Sequence, residues 1–142
     1  MRIAITGLVL VWLGVLSAYD VRQRRLPNGL TLPGAAAILL AAVAGGWGMA
    51  ALAGATALSA VYLLVHLVAP TAMGAGDVKL AIGLGGLAGC FGADVWFLAA
   101  LAAPLLSVLA GLGMRWRGVQ TVPHGLSMCM ATAGAAGMAL LG

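Results

Sequence analysis

Acid is what this sequence has least of. Its 142 residues contain no Glu, and its 3 acidic residues are Asp20, Asp77 and Asp94. Charged residues of both signs amount to 7% of the chain, against about a quarter in a soluble domain. So few charges cannot cover a surface that faces water. This excludes an ordinary soluble domain and makes lipid the main solvent. Cysteine is nearly absent as well. Cys90 and Cys129 lie far apart in apolar sequence with no CxxC pair, which excludes a zinc ribbon and a disulfide framework and leaves two small buried residues. Nothing in the pattern calls for a metal or a cofactor.

What is present is apolar. The chain is 63% hydrophobic with a mean hydropathy of +1.13. A spanning helix needs about 20 apolar residues, and the runs at 3–19, 30–43, 49–69, 77–88, 95–114 and 126–141 fill the chain. The fold class expected is therefore all-α, a polytopic membrane protein of six helices with short loops. Residues 1–142 should form one membrane-embedded unit with no soluble domain. The first run is read as a span rather than a cleaved signal segment, since the rest of the chain is membrane-spanning too. Pro27 should end any helix before it, and Asn28 suits an N-cap for the second helix. Trp12, Trp47, Trp96 and Trp116 mostly fall near expected span ends, where interfacial aromatic residues sit.

The formal charge of +4 reads as topology rather than as affinity for nucleic acid. With six spans, the first, third and fifth loops share one side of the membrane. Arg22, Arg24, Arg25, Lys79, Arg115 and Arg117 all fall on that side, and only Arg2 falls opposite. The positive-inside rule makes that side cytoplasmic and puts both termini outside. In a bacterial cell this is the inner membrane.

The same count puts Asp20, at the end of the first helix, and Asp77, at the head of the fourth, on one membrane face. A carboxylate next to hydrocarbon is costly and is usually functional or paired. The plainer reading pairs each Asp with a neighbouring Arg or Lys. Asp94 lies in a loop on the other face, with no partner acid. Two carboxylates that meet share a proton, because like charges at close range resist joint ionisation. One then acts as a base on water while the other, protonated, polarises a peptide carbonyl. This is aspartic peptidase chemistry and needs no metal, Cys or Ser. Helix-end fields favour negative charge on Asp77, at an N-terminus, over Asp20, at a C-terminus. Gly74 and Gly76, just before Asp77, would let the chain unwind ahead of the fourth helix and admit a substrate backbone. His66, inside an apolar run, reads as a packed or interfacial residue. His124, in the fifth loop, is a weaker candidate for touching substrate.

Three stretches resemble a known family. "GAGDVKL" at 74–80 is similar to the GxGD motif of the type IV prepilin peptidases, with Val78 and Lys79 in place. "DVRQRRLPN" at 20–28 resembles that family's first motif, an Asp followed by Arg and then Leu-Pro-Asn, here Pro27 and Asn28. "VPHG" at 122–125 resembles its proline-glycine loop, with His124 where an aromatic residue is more usual. The resemblance implies a membrane aspartic endopeptidase that removes the short basic leader from a prepilin or pseudopilin, ahead of its hydrophobic helix, at the cytoplasmic face. It implies Asp20 and Asp77 as the catalytic pair, with Gly74, Gly76, Lys79, Pro27 and Asn28 as supporting motif residues. The longer members carry a four-Cys insert and N-methylate the product. This chain has no such insert and no cysteine cluster, so methylation and S-adenosylmethionine are not implied. The short form resembles the enzymes of tight-adherence (Flp-type) pilus systems or the six-span archaeal preflagellin peptidases. The alternative is a non-enzymatic transport or secretion-machine subunit that uses the aspartates for ions or protons.

Overall fold

The computed structural model describes residues 2–23, 26–71, 73–118 and 124–142, with side chains from residue 7 onward. Arg24, Arg25, Val122 and Pro123, which the motif readings use, lie outside the described residues. Among the described residues there are six helices and no strand: α1 (Arg2–Gln23), α2 (Asn28–Ala44), α3 (Gly48–Val68), α4 (Ala75–Cys90), α5 (Ala93–Trp116) and α6 (His124–Leu141). In lipid every backbone amide needs an internal partner, and a run of Ala and Leu meets that need as a helix. Among the described residues, α3, α5 and α6 are each long and apolar enough to cross a membrane, and α2 is a shorter apolar helix. The outward faces carry Leu8, Leu40, Leu101 and Val108, all highly exposed. A water-facing surface would not tolerate such a display, but a lipid-facing one requires it.

α4 is the hub, packing against α2, α3, α5 and α6, while α1 lies chiefly against α6. The α3–α4 contact is the closest. A Cβ on Gly54 would run into the Gly85 carbonyl, and one on Gly85 would lie 2.5 Å from the Gly54 carbonyl oxygen. Small residues let membrane helices approach to backbone contact, where dispersion replaces the missing hydrophobic drive. The core above and below is apolar: Leu16, Leu80, Leu84 and Met128 are essentially inaccessible.

Several expected boundaries move. α1 runs past Asp20 to Gln23, so Asp20 stands in its last turn and not at its end. Pro27, with φ −68° and ψ 130°, holds the N-cap position of α2, and Asn28 is the first helical residue instead of the cap. Asp94 belongs to the first turn of α5 and not to a loop. Trp12 is not at a span end. It lies mid-helix, and its Nε1 donates to the Leu30 carbonyl at 3.0 Å. Its ring packs where Gly83 leaves room, since a Cβ there would sit 3.0 Å from it. Trp47 and Trp116 are exposed near helix ends, as expected. His66 is partly buried near the end of α3, and its Nδ1 meets the Met73 carbonyl at 2.7 Å, tying the end of α3 to the approach to α4.

Candidate functional site

Asp20 is buried, with 7% of its surface exposed. A carboxylate taken out of water needs donors, and α6 supplies one. The Leu126 N–H donates to Asp20 Oδ2 at 2.9 Å. Leu126 lies in the first turn of α6, whose amides have no partner within the helix and whose dipole favours negative charge. Gly125 makes the approach possible: a Cβ there would lie 3.0 Å from both Asp20 Cγ and Oδ2. The helix-end argument that set the two aspartates apart is therefore offset. Asp20 stands at the end of one helix but against the start of another.

Asp77 is the third residue of α4, and its Oδ2 accepts the Gly74 N–H at 3.3 Å. Gly74 sits at the N-cap with φ −77° and ψ 152°, ordinary extended backbone, and Gly76 is already inside the helix. Neither glycine unwinds the chain as the sequence suggested; α4 begins at Ala75, ahead of Asp77. Gly76 provides space: a Cβ there would lie 3.3 Å from Leu26 Cβ, whereas one on Gly74 would make only an ordinary contact, 3.6 Å from Asp77 Oδ2.

The two carboxyl groups come together. Asp20, Leu26, Asn28, Gly74, Ala75, Gly76 and Asp77 line one cleft of about 360 Å³. Asp20 and Asp77 stand within electrostatic reach of each other across it. Lys79 does not pair with Asp77, as the plainer reading had it. Its Nζ donates to Asn28 Oδ1 at 2.9 Å and so joins the start of α4 to the start of α2. Of the residues singled out in the sequence, Asp20, Asp77, Gly74, Gly76 and Asn28 line the cleft, Lys79 reaches it through Asn28, and Pro27 stands behind it at the cap.

Other side chains converge on the same end of the bundle. His124 opens α6, partly buried, with its Nδ1 hydrogen-bonded to Ser107 Oγ of α5 and its ring 5.7 Å from that of Tyr62 on α3. Both His124 and Tyr62 lie within electrostatic reach of Asp77. Ser107, Tyr62 and the Leu126 amide drew no notice in the sequence. Their one available signal was that α6 starts on the face where α1 ends. Cys129 is buried one turn along α6 from Gly125, and Cys90 is half-buried; both are free. Among the described residues no three metal-ligating side chains gather.

Chemically, the cleft offers two carboxyl groups, backbone amides at two helix starts and an open mouth. This suffices to polarise a carbonyl and activate a water. Among known protein families, the model of the Type IV leader peptidase family matches residues 7–116, more than half of the chain. No curated protein and no solved structure matches.

Proposed function

Because the chain belongs to the type IV leader peptidase family, we propose that it cleaves the leader from prepilins with Asp20 and Asp77 as its catalytic carboxylates. The observation that carries this reading is the shared cleft, which brings both aspartates to one opening beside the amides of Gly74 and Leu126. One proton held between the two carboxyls leaves a base for water and an acid for the scissile carbonyl oxygen. The water loses its proton to the carboxylate as its oxygen bonds to the carbonyl carbon, and the second carboxyl protonates that carbonyl oxygen. Collapse of the tetrahedral intermediate then passes a proton to the leaving amine and restores the shared one.

The substrate fits the same geometry. The cleft opens where α1 ends and α2 and α4 begin. A short leader in water, joined to an apolar helix in the bilayer, presents its junction at that depth. The basic residues Arg22, Lys79, Arg115 and Arg117 lie towards this end of the bundle, which the positive-inside rule assigns to the cytoplasm. The segments between the helices carry no four-Cys insert, which supports leader removal without N-methylation, as in the Flp-type systems.

The test is co-expression with a prepilin that carries a short basic leader. Wild type should remove the leader, whereas Asp20→Asn and Asp77→Asn should insert in the membrane yet leave it in place. A transport or scaffold subunit predicts the opposite, no leader removal by the wild type; unchanged processing in either variant would overturn the Asp20–Asp77 pair.

A further inference from the structure

Two hydrogen bonds on the approach to α4 share one peptide unit. His66 stands in the last turn of α3, and its Nδ1 lies 2.7 Å from the Met73 carbonyl oxygen. A carbonyl only accepts, so Nδ1 carries the hydrogen and donates. Neutral and cationic imidazole can both do this, and the contact needs no titration. The nitrogen of the same peptide belongs to Gly74, and its N–H donates to Asp77 Oδ2 at 3.3 Å. Asp77 returns a bond, its own N–H donating to the Gly74 carbonyl at 3.1 Å. A trans peptide is planar, with its C=O and N–H pointing opposite ways. Holding the Met73 oxygen therefore aims the Gly74 N–H.

Gly74 is the reason that this peptide needs holding. Its φ of −77° is ordinary, but a residue without Cβ enters positive φ about as readily. The Met73–Gly74 peptide can then turn over, swinging its N–H away from Asp77 and its carbonyl away from His66. The Met73 side chain, packed against the core, anchors one end, and the His66 bond fixes the plane. We propose that His66 is a positioning residue of the carboxylate site: it holds the Met73–Gly74 peptide so that the Gly74 amide orients Asp77. The proposal rests on the peptidase reading above and deepens it. With Oδ2 committed to the Gly74 amide, Oδ1 is the oxygen of Asp77 left for water or for the shared proton. His66 itself stands outside the lining of the cleft, so its effect belongs in kcat and not in KM.

The test measures kcat and KM for leader cleavage with full-length protein in membranes, per folded molecule. His66→Phe keeps a planar ring and removes the donor. It should lower kcat about threefold to tenfold, the size of one neutral hydrogen bond, with KM unchanged. His66→Asn returns an amide N–H close to the position of Nδ1 and should restore most of kcat. Gly74→Ala admits a Cβ at ordinary contact distance from Asp77 but resists positive φ. In that background His66→Phe should cost far less kcat, because the turned-over peptide is already disfavoured. A direct readout needs no cleavage. In glycine-labelled protein, the Gly74 amide proton, identified by its loss in Gly74→Ala, should shift in His66→Phe in the direction that Asp77→Asn shifts it. Wild-type kcat, or an unmoved Gly74 amide, in His66→Phe overturns the proposal and leaves the peptidase reading intact. So does an equal loss in both backgrounds, or a His66→Asn variant no better than His66→Phe. Failure of His66→Phe and His66→Leu alike to accumulate would make His66 a support of the bundle and overturn it too. If wild type and Asp77→Asn process the leader equally, it is the peptidase reading that falls, whatever the amide does.

Discussion

The Leu126 amide reaches Asp20 Oδ2 at 2.9 Å, so the last turn of α1 and the first turn of α6 are joined through a buried carboxylate. Gly125 is the residue that permits it, because a Cβ there would lie 3.0 Å from Asp20 Oδ2. Gly125→Ala should therefore displace the carboxyl rather than the helix. We expect leader cleavage to fall by about tenfold to a hundredfold, the range set by a hydrogen bond to a charged group of about 1.5–3 kcal/mol. Membrane insertion and thermal stability should stay close to wild type. Measuring both on one preparation separates a moved carboxylate from a misfolded bundle, and undiminished cleavage would show that Asp20 does not need this placement.

If the two carboxyls act as one unit, their losses should not add. Asp20→Asn and Asp77→Asn each remove the ability to share a proton, while an Asn oxygen still accepts from Leu126 or Gly74. The double variant should then be no slower than the slower single variant, as with other groups that act together. Quantifying residual cleavage over long incubations checks this. A double variant slower by the product of the two single effects would mean that the aspartates work independently.

Much of the architecture was legible because it depends on letters. Apolar runs broken by Gly, Pro and charge mark all six helices in order, and alternation of spans puts Asp20 and Asp77 on one face. What escaped depends on backbone and on space. No residue type announces that the Leu126 amide will cap Asp20, because every residue except Pro carries that amide. Trp12 lies in the middle of the first apolar run, and nothing in the letters says what it meets; Gly83 on a distant helix makes room for it in the bundle. Lys79 looked like a partner for the nearby Asp77. The packing of α2 on α4 offered it Asn28, 51 residues away, and left Asp77 to the Gly74 amide.

That Lys79–Asn28 hydrogen bond ties together the two motifs that bracket the cleft. It is exposed at the cleft mouth, so its net worth should be about 0.5–1.5 kcal/mol. Lys79→Met and Asn28→Ala should each weaken cleavage by roughly threefold to tenfold on that scale. The effect should appear in KM if the bond shapes the mouth for the leader. A double-mutant cycle supplies the check: the pair should cost no more than the worse single change. Additive losses would mean that each side chain acts alone.

The contact between α3 and α4 belongs to the frame rather than to the site. α3 and α4 touch backbone to backbone at Gly54 and Gly85, where a Cβ on Gly85 would lie 2.5 Å from the Gly54 carbonyl oxygen. A carbonyl in a helix cannot swing aside as a flexible side chain would. Gly85→Ala should force the helices apart, at a cost of about 1–3 kcal/mol for overpacking, and Gly85→Val at a higher one. Detergent-solubilised variants should melt earlier in that order. At low temperature, where the bundle still holds, Gly85→Ala should retain most of its cleavage activity, because none of the residues lining the cleft belongs to this contact. Gly7→Ala, at a helix position with open space around it, is the matched control and should not lower the melting temperature. Equal melting of Gly85→Ala and Gly7→Ala would show that the α3–α4 contact yields without cost.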